Sequence, residues 1–220
     1  MSMFALDGVL SPAEVEAFRH TAAGLDWRDG ASTAGARARR VKANDQAAPS
    51  PARDALLTKA ADALRAHPVF RAAARPKAMT PLLLSRYRPG QTYGFHVDDA
   101  LMGGLRTDLS FTLFLSDPDG YEGGALEIDE PWGTRPVRLS AGSAVLYPSD
   151  SLHRVAPVTS GERLAIVGWV ESWVRDAADR AILFGLDQAL ATLEQGGDTA
   201  LATDRIAQVR SNLLRRWAGR

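Results

Sequence analysis

The stretch YGFHVDDAL, residues 93–101, sets His96 two residues before Asp98 in an otherwise apolar run. Residues two apart in a strand project from the same face, about 7 Å apart along the backbone. An imidazole and a carboxylate would therefore share one space, and burying them is costly unless a cation or hydrogen bonds compensate. Of four histidines, only His153 also lies in the strand-rich part of the chain, 55 residues after Asp98 in LYPSDSLHRVAPV. Two imidazoles and one carboxylate would hold a metal while leaving adjacent coordination positions open to reactants. Ten residues beyond His153, after the Ser160-Gly161 turn, Arg163 opens the apolar run LAIVGWV. An arginine entering a core strand needs an anion, and its forked donors fit a carboxylate. The expected anion is the far carboxylate of a dicarboxylic co-substrate.

These residues need strands to hold them. From Met79 to Trp173 short runs rich in Leu, Val, Phe and Trp alternate with Pro-Gly, Gly-Gly, Asp-Pro-Asp-Gly and Ser-Gly punctuation. That spacing predicts strands near Pro81–Arg88, Tyr93–Asp98, Asp108–Ser116, Ala125–Asp129, Thr134–Leu139, Ser143–Tyr147, Leu152–Val158 and Arg163–Ser172. Many strands without intervening helices argue for an antiparallel sandwich or barrel, with a jelly roll leading. A jelly roll brings early and late strands side by side, so His153 can reach the earlier pair.

Helices flank this region. Ser11-Pro12-Ala13-Glu14 reads as an N-cap, a first-turn proline and a capping-box acid, opening a helix to about Gly24. Pro51–Ala66 is a second helix, ending before Pro68. Gly30–Pro51 reads as a long loop with at most a short strand near Val41. Helical period returns over Asp176–Glu194 and Thr199–Trp217, divided by Gly196-Gly197-Asp198. In the last helix Ile206, Val209, Leu213 and Trp217 form an apolar face. Its partner is the β core or the neighbouring helix, with a homodimer interface as the alternative. The expected division is a helical and loop support over 1–78, a jelly-roll core over 79–174 and a helical extension over 175–220.

Composition narrows the function. The 220 residues are 45% apolar and 24% charged, as in a globular protein. Lys plus Arg equal Asp plus Glu at 26 each, so no global field draws nucleic acid or an anionic membrane. With no cysteine, disulfides, thiolate ligands and cysteine nucleophiles are excluded. The N-terminus shows no basic-then-apolar signal and no run of about 18 apolar residues occurs, so the expectation is a cytoplasmic protein.

The set His96-Val97-Asp98, His153 and Arg163 resembles that of the iron and 2-oxoglutarate-dependent dioxygenases. Within them the chain is most similar to the PKHD-type hydroxylase branch, which is related to prolyl hydroxylases. The likeness extends over Thr33-Ala34-Gly35, Val41-Lys42, Arg86-Tyr87, Tyr93–Asp98, Arg106–Ser110, Leu113–Pro118, Gly123-Gly124, Tyr147–Ser149, Leu152–Val155 and Gly161–Arg163, and to Asn212–Trp217 near the end. The resemblance implies a mainly β fold with flanking helices: a double-stranded β-helix (jelly roll, cupin-like) core with N-terminal helices and a C-terminal helical extension. It implies Fe(II) on His96, Asp98 and His153, with 2-oxoglutarate on Arg163. Tyr87 resembles a tyrosine lining the co-substrate pocket, and Tyr147 is a second candidate for that contact. Phe114 stands where some prolyl hydroxylases carry a tyrosine.

The reaction so implied consumes O2, converts 2-oxoglutarate to succinate and CO2, and hydroxylates a substrate, with L-ascorbate (vitamin C) as the supporting reductant. The substrate stays open between a peptidyl residue, a free amino acid and an iron-chelating metabolite. Two other classes share the metal set: a non-catalytic metal- and 2-oxoglutarate-binding sensor, and a nucleic-acid demethylating dioxygenase, which the charge balance disfavours.

The remaining signals have plain structural readings. His20 and His67 are exposed or capping residues, and Arg37–Arg40 reads as a solvated run, with contact to phosphate or the framing of an acidic substrate as alternatives. Gly103-Gly104 and Gly123-Gly124 are turns. Trp169 and Trp173 read as core, with pocket lining as the alternative, and Asp99 faces away from Asp98.

Overall fold

A computed structural model describes residues 3–33, 35, 38–196 and 200–219. Ala34, Arg37, Gly197 and Asp198, each part of a sequence feature above, lie outside the described residues. In chain order the N-terminal part contains β1 (Phe4–Leu6), α1 (Pro12–Ala23), β2 (Trp27–Asp29), β3 (Lys42–Ala43), β4 (Asp45–Ala47), α2 (Pro51–Ala66) and α3 (Pro68–Ala74). The strand-rich part contains β5 (Pro76–Met79), β6 (Leu83–Tyr87), β7 (Thr92–His96), β8 (Leu101–Met102), β9 (Leu105–Arg106), β10 (Leu109–Phe114), β11 (Tyr121–Gly123) and β12 (Leu126–Glu130). It continues through β13 (Gly133–Val137), β14 (Ala144–Pro148), β15 (His153–Val155), β16 (Val158–Gly161) and β17 (Arg163–Ser172), followed by α4 (Ala177–Gly196) and α5 (Ala200–Trp217).

The fold is mainly β with flanking helices, as expected. A large antiparallel sheet runs β1-β14-β10-β17-β6-β4-β2, with β5 also on β17, and a five-stranded sheet runs β13-β12-β15-β7-β3. Alternation within the large sheet assigns its two faces. On β10, Leu109, Phe111 and Leu113 enter the main apolar core with Leu84 of β6 and Leu164, Ile166 and Val170 of β17. That face packs on α1, α2 and α3, and each such fully buried side chain contributes about 1.5–3 kcal/mol. The opposite face carries Ser110, Thr112, Ser85, Tyr87, Arg163 and Tyr147, which line a cavity between the sheets. A period of two thus separates a greasy outer face from a polar inner one.

The caps follow the sequence. Ser11 accepts from the Glu14 backbone at 3.3 Å while Glu14 accepts from the Ser11 backbone at 2.7 Å, closing the capping box of α1. Pro68, read as a stop, instead opens α3, because a first-turn proline loses no hydrogen bond. His67 caps that helix through its ring, as one of its two readings had it. The segment read as the Gly30–Pro51 loop holds two short 3-10 turns, the strand β3 next to Val41 as allowed above, and the additional strand β4, a correction with consequences below.

Two further corrections concern strand ends. β7 stops at His96, so Asp98 lies just past the ladder rather than on it. Trp173 falls beyond β17 and is 47% exposed, stacked by Lys77 rather than buried in the core. Asp187 of α4 accepts from both Arg75, at the end of α3, and Arg210 of α5, tying the C-terminal helices to the body. α5 packs along α4, which answers part of its need for an apolar partner, although Val209 remains half exposed. No helix among the described residues is long and apolar enough to cross a membrane.

Candidate metal and co-substrate site

His96 ends β7 and His153 begins β15, and the two face each other directly in the ladder. Their ring centroids are 4.3 Å apart. Asp98 folds back from the loop after β7, placing Oδ1 3.8 Å from His96 Nε2 and Oδ2 3.7 Å from His153 Nε2. One ligand atom from each of the three lies within 4.8 Å of the others, a spacing that accommodates a metal ion. All three side chains are at least nine-tenths buried.

The surroundings prepare these atoms as ligands. His96 Nδ1 lies 2.8 Å from the Gly94 carbonyl and His153 Nδ1 lies 2.9 Å from the Ser151 carbonyl. A carbonyl can only accept, so each Nδ1 carries the proton and each Nε2 presents its lone pair inward. Burial, then the neighbouring His153, lowers the His96 pKa to about 4, which keeps that ring neutral at neutral pH. Tyr93 stacks on the His96 ring at 3.6 Å and Tyr147 meets His153 edge-on at 5.1 Å, which restrict both imidazoles. Ser110 of β10 donates to Asp98 Oδ2 at 2.6 Å and lies 2.8 Å from the buried Ser149 hydroxyl. Sequence reasoning assigned Ser110 no role, although a serine in the apolar run of β10 was a visible irregularity.

Arg163 opens β17 opposite Tyr87 of β6. It is 1% exposed, its Nε has no hydrogen-bond partner, and no carboxylate among the described residues pairs with it. Its guanidinium carbon lies 5.3 Å from the Tyr87 ring centroid and 5.4 Å from that of Phe114. Such a charge is costly to bury unless an anion joins it. Burial pushes the Tyr87 hydroxyl up to about 12, against the pull of Arg163 and a contact with Asn44. That Asn44 contact falls short of full hydrogen-bond geometry. Tyr147 is likewise raised by burial, and Asp98 raises it further.

All of the predicted site residues, His96, Asp98, His153, Arg163 and Tyr87, line one cavity of about 370 Å3. Tyr147, Lys42, Gln46 and Trp169 line it as well, so for Trp169 the pocket-lining alternative holds rather than the core reading. Asp99 lines the same cavity as Asp98 instead of facing away from it, a correction that follows from β7 ending at His96 so that strand alternation no longer applies, and it makes no part of the metal set. A wider concavity of about 660 Å3 lies beside the start of α4, with four arginines balanced by four aspartates and none of the predicted residues. The donor set of two imidazoles and a carboxylate suits a ferrous ion, and the orphaned guanidinium in the same space suits a dicarboxylate.

Comparison with known proteins agrees with this geometry. The profile of the 2OG-Fe(II) oxygenase superfamily matches residues 82–171, and that of the PKHD-type hydroxylase C-terminal domain matches residues 177–219. A PKHD-type hydroxylase of Parvibaculum lavamentivorans is 52% identical over 96% of both chains. Another from Maricaulis maris is 51% identical over 86% of this chain and 87% of the relative. Among solved structures, a Pseudomonas putida prolyl-4-hydroxylase is similar at a TM-score of 0.52 and 22% identity, over 77% of this chain and 92% of that one. HygX of Streptomyces hygroscopicus, solved with nickel and 2-oxoglutarate, is similar at a TM-score of 0.59 and 15% identity, over 78% and 84%. These two share the fold.

Proposed function

The chain belongs to the PKHD-type hydroxylases of the 2OG-Fe(II) oxygenase superfamily, and from that premise we propose that it couples oxidative decarboxylation of 2-oxoglutarate to succinate with hydroxylation of a carbon on a second substrate. His96, Asp98 and His153 hold Fe(II), and Arg163 grips the far carboxylate of 2-oxoglutarate. The metal and co-substrate, when bound, supply the O2-dependent oxidation. The protein's part is to orient and to shield. The two Nδ1–H bonds aim the imidazoles, Ser110 holds the carboxylate, and Tyr87 and Phe114 wall the guanidinium so that its donors turn to the cavity. L-ascorbate acts as an external reductant that keeps the iron ferrous. On this reading residues 79–174 are the catalytic core, supported by 1–78 and 175–220.

The observation that carries the reading is the buried, unpaired Arg163 in the same cavity as the three ligating side chains. Succinate formation from 2-oxoglutarate under air tests it. It should require Fe(II) and vanish in His96→Ala and Asp98→Ala. Undiminished turnover in either variant would refute the site, and tight 2-oxoglutarate binding without any succinate would favour a sensor.

A further inference from the structure

One wall of the cavity comes from the segment that sequence pattern left as a loop. β3 pairs with β7 of the smaller sheet through Lys42↔Tyr93, and β4 pairs with β6 of the larger sheet through Gln46↔Ser85. The chain from 42 to 47 therefore bridges the two sheets. Asp45 points outward, where it accepts from Arg86 at 3.0 Å and from Gln91 at 3.1 Å and pairs with Arg88 at 2.9 Å. With Asp45 anchored outside, alternation turns its even-numbered neighbours inward. Lys42 and Gln46 both line the cavity. Gln46 is 2% exposed, and neither its amide nitrogen nor its oxygen has a partner. A buried amide left open at both ends costs about 1–3 kcal/mol per lost partner, so this wall is built to meet a polar molecule.

Lys42 supplies the charge of that wall. Its half-buried ammonium donates to Thr33 Oγ1 at 3.0 Å and sits 5.0 Å from the Tyr93 ring, whose other neighbour is the His96 imidazole. An ammonium has three donors, and no carboxylate among the described residues lies within salt-bridge reach of this one. Among the described residues, the charged side chains around the cavity, besides the histidines, are Lys42, Asp98, Asp99 and Arg163. Asp98 faces the metal position, Asp99 is exposed to solvent, and Arg163 has the co-substrate as its anion. Lys42 has no carboxylate in direct contact and feels Asp98 and Asp29 only from beyond ion-pair distance.

Resting on the function proposed above, we infer that Lys42 is a specificity-determining residue that binds a carboxylate of the second substrate, beside the metal site and apart from 2-oxoglutarate. The carboxylate belongs either to a small organic acid or to an acidic peptide.

Calorimetric titration under nitrogen of the full chain, loaded with Mn(II) and saturating 2-oxoglutarate, separates these cases. The probes are N-acetylated amino acids as free acids and as amides, and a hexapeptide with one internal glutamate against its glutamine form. Free acids should bind at least tenfold tighter than their amides if the source is a small acid, and the glutamate peptide should beat its glutamine form if it is a peptide. Lys42→Met should erase the preference, Lys42→Arg should restore it, and 2-oxoglutarate affinity should shift less than twofold in both. Equal binding of acids and amides by the unaltered protein, read without any variant, would overturn the inference. So would a loss of 2-oxoglutarate binding in Lys42→Met, which would make Lys42 a co-substrate ligand. Failure of the unaltered Mn(II) protein to bind 2-oxoglutarate would count against the proposed function instead.

Discussion

Ser110 Oγ lies 2.6 Å from Asp98 Oδ2, joining a strand of the large sheet to the carboxylate that follows β7. A hydroxyl has one proton, and it goes to the carboxylate, so the nearby Ser149 at 2.8 Å donates to Ser110 in turn. Groups that orient a metal ligand typically contribute about 10–100-fold in metal affinity. Ser110→Ala should weaken Mn(II) binding by about that factor while leaving the melting temperature within a few degrees, as read by metal titration and thermal denaturation. Unchanged affinity would mean that Asp98 is held in place by its loop alone.

Arg163 makes opposite predictions for stability and for binding. Replacing a buried charge that lacks a partner with an apolar chain of similar length is often neutral or stabilising, by up to about 4 kcal/mol. Arg163→Met should therefore unfold no more easily than the parent in buffer. In the parent, 2-oxoglutarate with Mn(II) at about 100 times its Kd should add about 2.7 kcal/mol, and the variant should gain nothing. Urea denaturation with and without 2-oxoglutarate reads both effects.

Lys42 has a stability signature in pH. Burial lowers its pKa from the ordinary 10.5 to about 8, against the opposing pull of Asp98 and Asp29. Between those values the unfolded chain holds a proton that the folded chain has released, so stability at this position rises with pH. Below pH 8 both states are charged and the folded one carries the burial cost. Lys42→Met should be more stable than the parent at pH 7, and the gap should close as pH climbs through 8 toward 10.5. A gap that widens over that range would show that the ammonium is stabilised in the fold.

Gly161 adopts φ +72° two residues before Arg163, and a Cβ there would lie 2.3 Å from the Gly120 carbonyl oxygen. Neither the backbone nor that carbonyl can yield cheaply. Gly161→Ala should cost more than about 1 kcal/mol and weaken 2-oxoglutarate binding by displacing the start of β17. Full stability with unaltered affinity would contradict this account.

The strands that hold the site were legible because their outer faces are apolar at period two: Leu109, Phe111 and Leu113 on β10, and Leu164 and Ile166 on β17. The clustering of His96, Asp98 and His153 was legible because few residue types ligate metals and few of them fall in the strand-rich region. Of the two strands in the 30–51 segment, β3 falls beside the short strand allowed near Val41, whereas β4 was not legible, since its buried Gln46 is polar and a strand with a polar inner face looks like a loop when burial is inferred from hydrophobicity. α3 was hidden because Pro68 reads equally as a stop or a first turn. Trp173 misled because alternation ends with β17 at Ser172, and after that an aromatic side chain carries no information about direction.

If Lys42 selects the second substrate as inferred, the bridge formed by residues 42–47 places molecular recognition on backbone that precedes β7 and β15 in the chain. Replacements at 42 and 46 can retune which compound is accepted while β7 and β15 stay as they are. On that inference, selectivity can change through residues 42–47 while His96, Asp98 and His153 stay in place.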